Sequence, residues 1–381
     1  MRKTAIACGA LGLILVLVAF LLAFWITPTY VARLQSNTNT VRDYNGRVLT
    51  LVNPAALASG NLAGAVITGV PETLRRQVKV LQTSGNTALV RDATTATASS
   101  RVIGSISSQY AISRTSFEAT ASHPSGWSIT KATGLTFNWP IGAQRKNYTG
   151  WVPFTQTTVP LKYVRQQPQD GINTNVYQAT VPSTPVTNPQ VLRSLPASLP
   201  TSLLPDIVKA GLIPASVVAD LARAYPGATS VPVKYVYSAT NTFWVAPPTG
   251  IVVNQHTTES QVGSIVMPGG KLVPVFPVLS DTYAFTPSTV RSAVSDANNG
   301  SGAINGWGIL APILAGIVGF LLLVAAALLW IRSRRHGVSG PEHRAGGPSR
   351  DPARTDITDT PSQPEDRPAR GATASDQRSR R

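Results

Sequence analysis

Few residues of this 381-residue chain have types and spacings that suggest catalysis or metal binding. His123 stands beside a proline and near a glycine, and His256 lies at a predicted strand end, so neither fits a nucleophile-elbow or zinc-binding pattern. The acidic residues of the central region are scattered, with no close pair for acid–base work. Cys8 is the single cysteine, which excludes a disulfide framework. The sequence predicts neither an enzyme nor a cofactor or metal, although distant residues can still assemble a site.

Four tryptophans are better candidates for chemistry, because aromatic side chains can line an apolar groove for a lipid or glycan. Core packing and strand pairing are the alternative role for the same residues. The candidate groove residues are Trp127, Trp139, Trp151 and Trp244.

The charge composition narrows the choice of partners. Lys and Arg number 33 against 17 Asp and Glu, giving a net charge of +16, yet only 13% of residues are charged. A disordered polycation would carry far more charge. Basic residues form no block interleaved with aromatics, so nucleic acid is not a predicted partner. A mildly basic surface beside a membrane or an anionic envelope polymer fits better.

Two uncharged apolar stretches, residues 5–26 and 307–331, are each long enough to cross a membrane. The first would extend about 33 Å as a helix, against a hydrocarbon core of roughly 30 Å. A cleaved signal peptide is the alternative for the first stretch, but its apolar region exceeds the usual length of about 7–15 residues. We therefore expect two transmembrane helices.

Basic residues flank the two stretches and predict their orientation. Arg2 and Lys3 precede the first, and Arg332, Arg334 and Arg335 follow the second. By the positive-inside rule both termini are cytoplasmic, including residues 1–4, and the protein lies in the plasma membrane with its central part outside.

Small residues recur every fourth position in the second stretch, at Ala311, Ala315 and Gly319. This spacing permits close approach of another helix, which is either the first stretch or a second copy of the chain. Self-association through this face is one predicted partnership; membrane lipid and an envelope lipid or polysaccharide are the others.

Residues 27–306 are predicted to form a mainly β extracytoplasmic domain of antiparallel sheets with a short helical insertion at 203–224. A further short helix is expected at Pro287–Ala297. A proline-rich stretch, 181–205, separates possible halves at 27–180 and 206–306.

The predicted strands are short and irregularly spaced, which argues against a transmembrane barrel. Residues 332–381 contain no aromatic residue and are rich in Pro, Gly, Ser and Asp, so they are predicted to be a disordered cytoplasmic tail.

Two segments resemble an actinobacterial membrane-protein family labelled porin PorA. One is the run 135–142 with Lys146, Tyr148 and Trp151; the other is 237–253, with its Trp-Val-x-Pro and Thr-Gly elements. The likeness extends over roughly residues 1–335, but Ala246 stands where the family usually has an acidic residue. The resemblance implies an envelope-exposed protein of a high-GC Gram-positive lineage.

These patterns favour a double-spanning membrane protein whose β-rich domain binds or scaffolds an envelope lipid or polymer without catalysis. A pore-forming protein, as the family label implies, is the second hypothesis, and an envelope hydrolase is the third.

Overall fold

A computed structural model describes residues 2–52, 65–209 and 213–335 of the chain. The helices in these ranges are α1 (Arg2–Leu21, continued as a π-helical stretch Leu22–Val31), α2 (Pro189–Leu192), α3 (Leu204–Lys209, after a 3-10 turn Thr201–Leu203), α4 (Ala215–Ala224), α5 (Pro287–Asn305, continued as a π-helical turn Gly306–Leu310) and α6 (Ala311–Arg335).

The strands are antiparallel and belong to one 11-stranded sheet in the described part of the chain. Their bounds are β1 (Asn39–Val52), β2 (Val66–Ser84), β3 (Thr87–Ala98), β4 (Arg101–Ser113), β5 (Tyr148–Val152), β6 (Thr157–Gln169), β7 (Ile172–Pro185), β8 (Ser198–Pro200), β9 (Ser230–Ala246), β10 (Ile251–Val266) and β11 (Leu272–Phe285). The sheet order is β4-β3-β2-β1-β11-β10-β9-β7-β6-β5, and β8 pairs with β9. The mainly β class expected from the sequence is confirmed.

Several strands are much longer than the sequence suggested, and the expectation of short strands was wrong. β2 has 19 residues and β9 has 17. Register shifts, such as those between Val80 and Gln82 and between Gln261 and Val262, interrupt the pairing. Such bulges bend and twist strands without ending them, so a long strand reads as short segments in the sequence.

The sheet curls into a half-barrel, and the segment between β4 and β5 bridges its open side. Isolated bridges link Ile112 of β4 to Ala119, Glu118 to Leu135, and Leu135 to Gly150 of β5. Helix α2, between β7 and β8, also contacts β4, where Gln190 accepts from Ser107 N at 3.0 Å and donates to Ser107 O at 2.7 Å. The bridging segment therefore closes off an interior.

The turn between β9 and β10 holds this segment in place. Gly250 has φ +71°, a backbone conformation that residues other than glycine rarely adopt. Its carbonyl accepts a hydrogen bond from Trp139 N at 3.0 Å. A Cβ at position 250 would collide with the Trp139 carbonyl. Proline, proline, threonine and glycine here therefore make a hairpin that also anchors the aromatic part of the segment.

The two apolar helices pack against each other through small residues. A Cβ at Gly12 would lie 2.8 Å from Gly319 O, and a Cβ at Gly9 would lie 3.5 Å from Ala326 Cβ. The helical stretches Lys3–Thr27 and Pro287–Arg334 each contain an 18-residue segment of high mean hydropathy, 2.9 and 2.7, and are long enough to cross a membrane. Gly319, part of the predicted small-residue face, thus contacts the first helix of its own chain.

The helices predicted within the central domain are present in the structure. α3 and α4 lie within the helical insertion predicted at 203–224, and α5 extends the short helix predicted at Pro287–Ala297. Strands from 27–180 and from 206–306 belong to the same sheet. The predicted tail falls outside the described residues from 336 onward.

Candidate functional site

A cavity of about 760 Å³ lies inside the half-barrel and is here named the inner cavity. Its size falls within the roughly 300–1,000 Å³ of small-molecule sites. Strands β1–β4 and β9–β11 contribute one side, while β5–β7, α2 and the bridging segment contribute the other.

One side of the inner cavity is apolar and aromatic. Trp139 is 3% exposed, and its ring lies 5.0 Å from Tyr177 and 5.2 Å from Phe243 between ring centroids. Valine, leucine and alanine side chains also line the cavity. We name the aromatic members the aromatic wall: Phe137, Trp139, Trp151 and Phe154.

The other side carries three buried carboxyl groups, which we name the acidic wall. Glu72 on β2 is 2% exposed, Glu259 on β10 is 7% exposed, and Asp281 on β11 is 1% exposed. All three line the inner cavity. Burying several carboxyls in one place is costly unless each finds a partner.

Strand register brings the acidic wall together. Glu259 pairs directly with Asp281 across β10 and β11. Glu72 is opposite Gly46 of β1, which is in turn opposite Tyr283 of β11. A Cβ at Gly46 would lie 2.5 Å from Thr282 O and 2.6 Å from Tyr283 Cβ, so glycine lets β11 approach closely. The absence of a side chain on β1 brings Glu72 near the β11 carboxyl.

Two tyrosines serve Glu259. Tyr237 OH donates to Glu259 Oε2 at 2.7 Å, and Tyr283 OH donates to the same oxygen at 3.2 Å. Burial raises the pKa of Glu259, while these two hydrogen bonds act in the opposite direction. Burial and the neighbouring Glu259 charge raise the pKa of both tyrosines, so both stay protonated as donors.

Glu72 and Asp281 have no such support. None of their four carboxyl oxygens has a hydrogen-bond partner in the described part of the chain. Burial, then the charge of Glu259, raises the pKa of Glu72 to about 7. Burial, then the charges of Glu259 and Glu72, raise the pKa of Asp281 to about 10. At neutral pH Asp281 therefore keeps its proton.

Beside the acidic wall, Gln261 adds an unmatched donor. Its side chain is 7% exposed and lines the inner cavity, and its Nε2 has no hydrogen-bond partner among the described residues. Buried polar atoms without partners cost about 1–3 kcal/mol each. An amide donor and several carboxyl acceptors thus face the cavity with hydrogen-bonding capacity to spare.

A separate ion pair lies at another part of the cavity wall. Arg76 donates from Nε and Nη2 to the two carboxylate oxygens of Asp92 at 2.9 and 2.7 Å, and also to Thr136 O at 2.9 Å. Burial lowers the pKa of Arg76, but the charge of Asp92 and the hydrogen bonds outweigh it and the net shift is upward. Arg76 therefore stays charged, and its hydrogen bonds anchor the bridging segment to β2 and β3.

The structure separates the four tryptophans predicted from the sequence. Trp139 and Trp151 line the inner cavity. Trp127 lies on the bridging segment, where its Nε1 donates to Gln82 Oε1 at 2.9 Å. Trp244 packs with Ala293 and Ala297 of α5 on the opposite face of the sheet.

Sequence reasoning missed the acidic wall, since its members are 187 and 22 positions apart and their carboxyls read as scattered. One signal was present in β10, where Gln255, Thr257, Glu259 and Gln261 alternate. In a strand, every second side chain points to the same face, so four alternating polar residues mark a polar face of the sheet. The alternation does not tell which face of the sheet is buried, because that depends on how the whole sheet curls.

The two central histidines lie elsewhere. The His123 ring stacks on Trp127 at 6.4 Å, and His256 Nε2 is 3.3 Å from Thr282 Oγ1 on an exposed part of the sheet. Across 2–52, 65–209 and 213–335, no cluster of three or more His, Cys, Asp or Glu has an arrangement that could hold a metal ion.

Comparison with solved structures found proteins that resemble this chain at low sequence identity. They include an acyl-CoA thioesterase II TesB2 from Mycobacterium marinum, 15% identical, covering 65% of this chain and 81% of that one with a TM-score of 0.12. A hot-dog-fold protein of unknown function from Alicyclobacillus acidocaldarius is 13% identical, covering 65% and 78%, with a TM-score of 0.12. A putative thioesterase from Novosphingobium aromaticivorans DSM 12444 is 13% identical, covering 71% and 85%, with a TM-score of 0.11. At these scores the likenesses support no conclusion about fold or function.

A curved antiparallel sheet around a half-acidic, half-aromatic cavity, joined to two long apolar helices, defines a membrane-associated protein with an internal cavity. A comparison with curated proteins found no match. The family model described as Porin PorA matches residues 4–328, and the chain belongs to that family. The resemblance drawn from segments 135–151 and 237–253 is confirmed.

Proposed function

We propose that the protein is a non-enzymatic binder of an envelope amphiphile, which it holds in the inner cavity. The observation that carries this proposal is the division of the cavity into an aromatic wall and an acidic wall. An amphiphile's apolar chain would pack against Trp139, Trp151 and their neighbours. Its polar group would donate hydrogen bonds to Glu72 and Asp281, supplying the donors that the protein lacks there.

The membrane setting of the proposal rests on charge and hydropathy. α1 and α6 would span the plasma membrane, with Arg2 and Lys3 before the first span and Arg332 after the second on the cytoplasmic side. The half-barrel would then lie outside, beside the outer leaflet. An alkaline-phosphatase fusion at Ser301 should be active and one after His336 inactive; the reverse would overturn this orientation.

Native mass spectrometry of the full-length protein extracted in mild detergent tests the binding. Wild-type protein should carry a copurified lipid or glycolipid mass. Ala96 lines the cavity from β3, so Ala96→Phe should reduce the bound fraction by filling space. Thr95 is the next residue on the same strand and does not line the cavity, so Thr95→Phe is the matched control. Bare wild-type protein, or equal loss in both variants, would contradict the proposal.

Pore formation is a second candidate, favoured by the family description. A membrane barrel needs a continuous outward apolar band, roughly 25 Å tall. On the described strands the large exposed apolar side chains are few: Leu49, Val66, Leu81, Val102 and Val164. Defined single-channel steps from purified protein in planar bilayers would favour a pore, and silence at high protein load would favour binding.

A further inference from the structure

A second cavity, of about 840 Å³, lies where the apolar helices meet the sheet and is here named the outer cavity. Val31, at the end of the π-helical continuation of α1, and Trp307, before α6, both line it. Thr27 Oγ1 donates to Trp307 O at 3.3 Å and joins the two helices at this point. If the helices span a membrane, this cavity lies at the level of the lipid headgroups.

The two cavities adjoin. Four residues line both of them: Tyr44, Arg76, Phe137 and Gln255. We name these four the partition. Tyr44 OH donates to Gln255 Oε1 at 3.1 Å across the interior, and Phe137 belongs to the bridging segment rather than to a strand. Side chains from β1, β2, β10 and the bridging segment therefore lie at the boundary between the two cavities.

The outer cavity also differs from the inner one in charge. Arg33, Arg42 and Arg76 line it, and Asp296 is its single acidic lining residue within the described ranges. Arg42 and Asp296 form an ion pair at 2.8 Å. Basic residues beside a bilayer are attracted to anionic headgroups. Arg42 is paired with Asp296 and Arg76 with Asp92, but the outer lining still holds more arginines than carboxyl groups, which suits a position beside anionic headgroups. The carboxyl groups of the inner cavity suit a hydrogen-bond donor.

We propose that the outer cavity is a membrane-facing uptake site, through which a bilayer amphiphile reaches the inner cavity by passing the partition. This proposal rests on the proposed binding function. Three observations support it. The two cavities share four lining residues, Val31 and Trp307 at the apolar helices line the outer cavity, and the outer lining holds more arginines than carboxyl groups. The occupant is a lipid drawn from the membrane in which α1 and α6 are embedded.

A loading experiment tests the route. Full-length protein is reconstituted in phosphatidylcholine–phosphatidylglycerol vesicles and mixed with donor vesicles containing a diazirine-labelled phosphatidylglycerol. Photocrosslinking at successive times, with peptide mapping by mass spectrometry, measures arrival at inner-cavity peptides. Ala303 is exposed on α5 and lines the outer cavity, so Ala303→Trp should slow arrival several-fold. Asn298, exposed on the same helix and outside both linings, gives the matched control Asn298→Trp.

Equilibrium loading separates the route from the site. The same probe added in detergent should reach the inner cavity equally in wild type, Ala303→Trp and Asn298→Trp. Equal vesicle rates in all three proteins would overturn the route while leaving the binding function intact. Failure of wild type to crosslink in detergent would overturn the binding function itself. If Ala303→Trp also loses loading in detergent, Ser292→Trp replaces it, since Ser292 is another exposed residue that lines the outer cavity. Its vesicle and detergent loading are then compared with those of wild type and Asn298→Trp in the same way.

Discussion

The two walls of the inner cavity differ in how well their groups are matched by the protein itself. The aromatic wall is mainly apolar and closely packed, with the Trp139 ring centroid 5.0 Å from that of Tyr177 and 5.2 Å from that of Phe243, although Nε1 of Trp139 and of Trp151 lacks a hydrogen-bond partner among the described residues. The acidic wall contains unmatched carboxyl groups, because none of the four carboxyl oxygens of Glu72 and Asp281 has a hydrogen-bond partner in the described part of the chain.

This difference separates what folds the domain from what is available to a ligand. Well-packed aromatic side chains favour the folded state. Unmatched buried carboxyls oppose it, and proteins retain such groups chiefly at functional sites. The aromatic wall therefore stabilises the half-barrel, while the acidic wall reduces its stability and supplies polar recognition.

The largest expected effect is on the aromatic wall. Trp139→Ala should lower the free energy of unfolding of the full-length protein in detergent by about 3–5 kcal/mol, since a large buried side chain leaves a cavity. Trp127 lies outside the cavity lining, and Trp127→Ala should cost less than about 1 kcal/mol. Denaturant titration measures both. Equal losses would show that the cavity tryptophan contributes no more to stability than the one outside it.

The acidic wall should make stability depend on pH. Glu72 and Asp281 bind protons more tightly when folded, so their neutral forms favour folding and that stability falls as pH rises. The decline should run from pH 4.5 to about 7 for Glu72 and from 3.8 to about 10 for Asp281. A shift of one pKa unit corresponds to about 1.4 kcal/mol, so raising the pKa of Glu72 from 4.5 to about 7 alone corresponds to about 3 kcal/mol.

Thermal unfolding at pH 5 and pH 8 measures this dependence. The wild-type midpoint should be higher at pH 5, and Asp281→Asn should flatten most of the difference by removing the group whose pKa is raised the most. Asp296→Asn, at an exposed carboxyl outside the inner cavity, should keep the wild-type slope. A wild-type midpoint that rises with pH would contradict the raised pKa values.

The same contrast explains what the sequence could predict. Alternation and β-branched residues predicted the β class, and uncharged length predicted the two apolar helices. The four tryptophans predicted an apolar groove, and two of them, Trp139 and Trp151, line the inner cavity. The acidic wall depends on pairing between β1, β2, β10 and β11, which are far apart in the chain. Local sequence patterns do not predict the register between these strands. Strand lengths were underestimated because β-bulges interrupt the alternating pattern.

Gly46 offers a more moderate test of how the acidic wall is assembled. Gly46→Ala places a Cβ against Thr282 O and Tyr283 Cβ, so β1 and β11 must separate, at a cost of about 1–3 kcal/mol. The separation should also weaken the link between Glu72 and Asp281 and make the pH slope shallower. Gly104 of β4 has open space at its Cβ position, and Gly104→Ala should be nearly neutral. Equal stability and equal slopes in the two variants would remove the role assigned to Gly46.

The smallest effect concerns one hydroxyl group. Tyr237→Phe removes a donor to Glu259 but leaves Tyr283, so it should cost about 1 kcal/mol. Tyr235, two residues earlier, donates to Pro196 O at 2.6 Å and does not line the inner cavity, so Tyr235→Phe is the matched control with a similar stability loss. The two variants should differ in ligand occupancy measured by native mass spectrometry. In Tyr237→Phe, Glu259 has lost one donor and can accept a hydrogen bond from the ligand, so ligand occupancy should change in this variant and not in Tyr235→Phe. Matching occupancies would mean that the acidic wall does not contact the ligand.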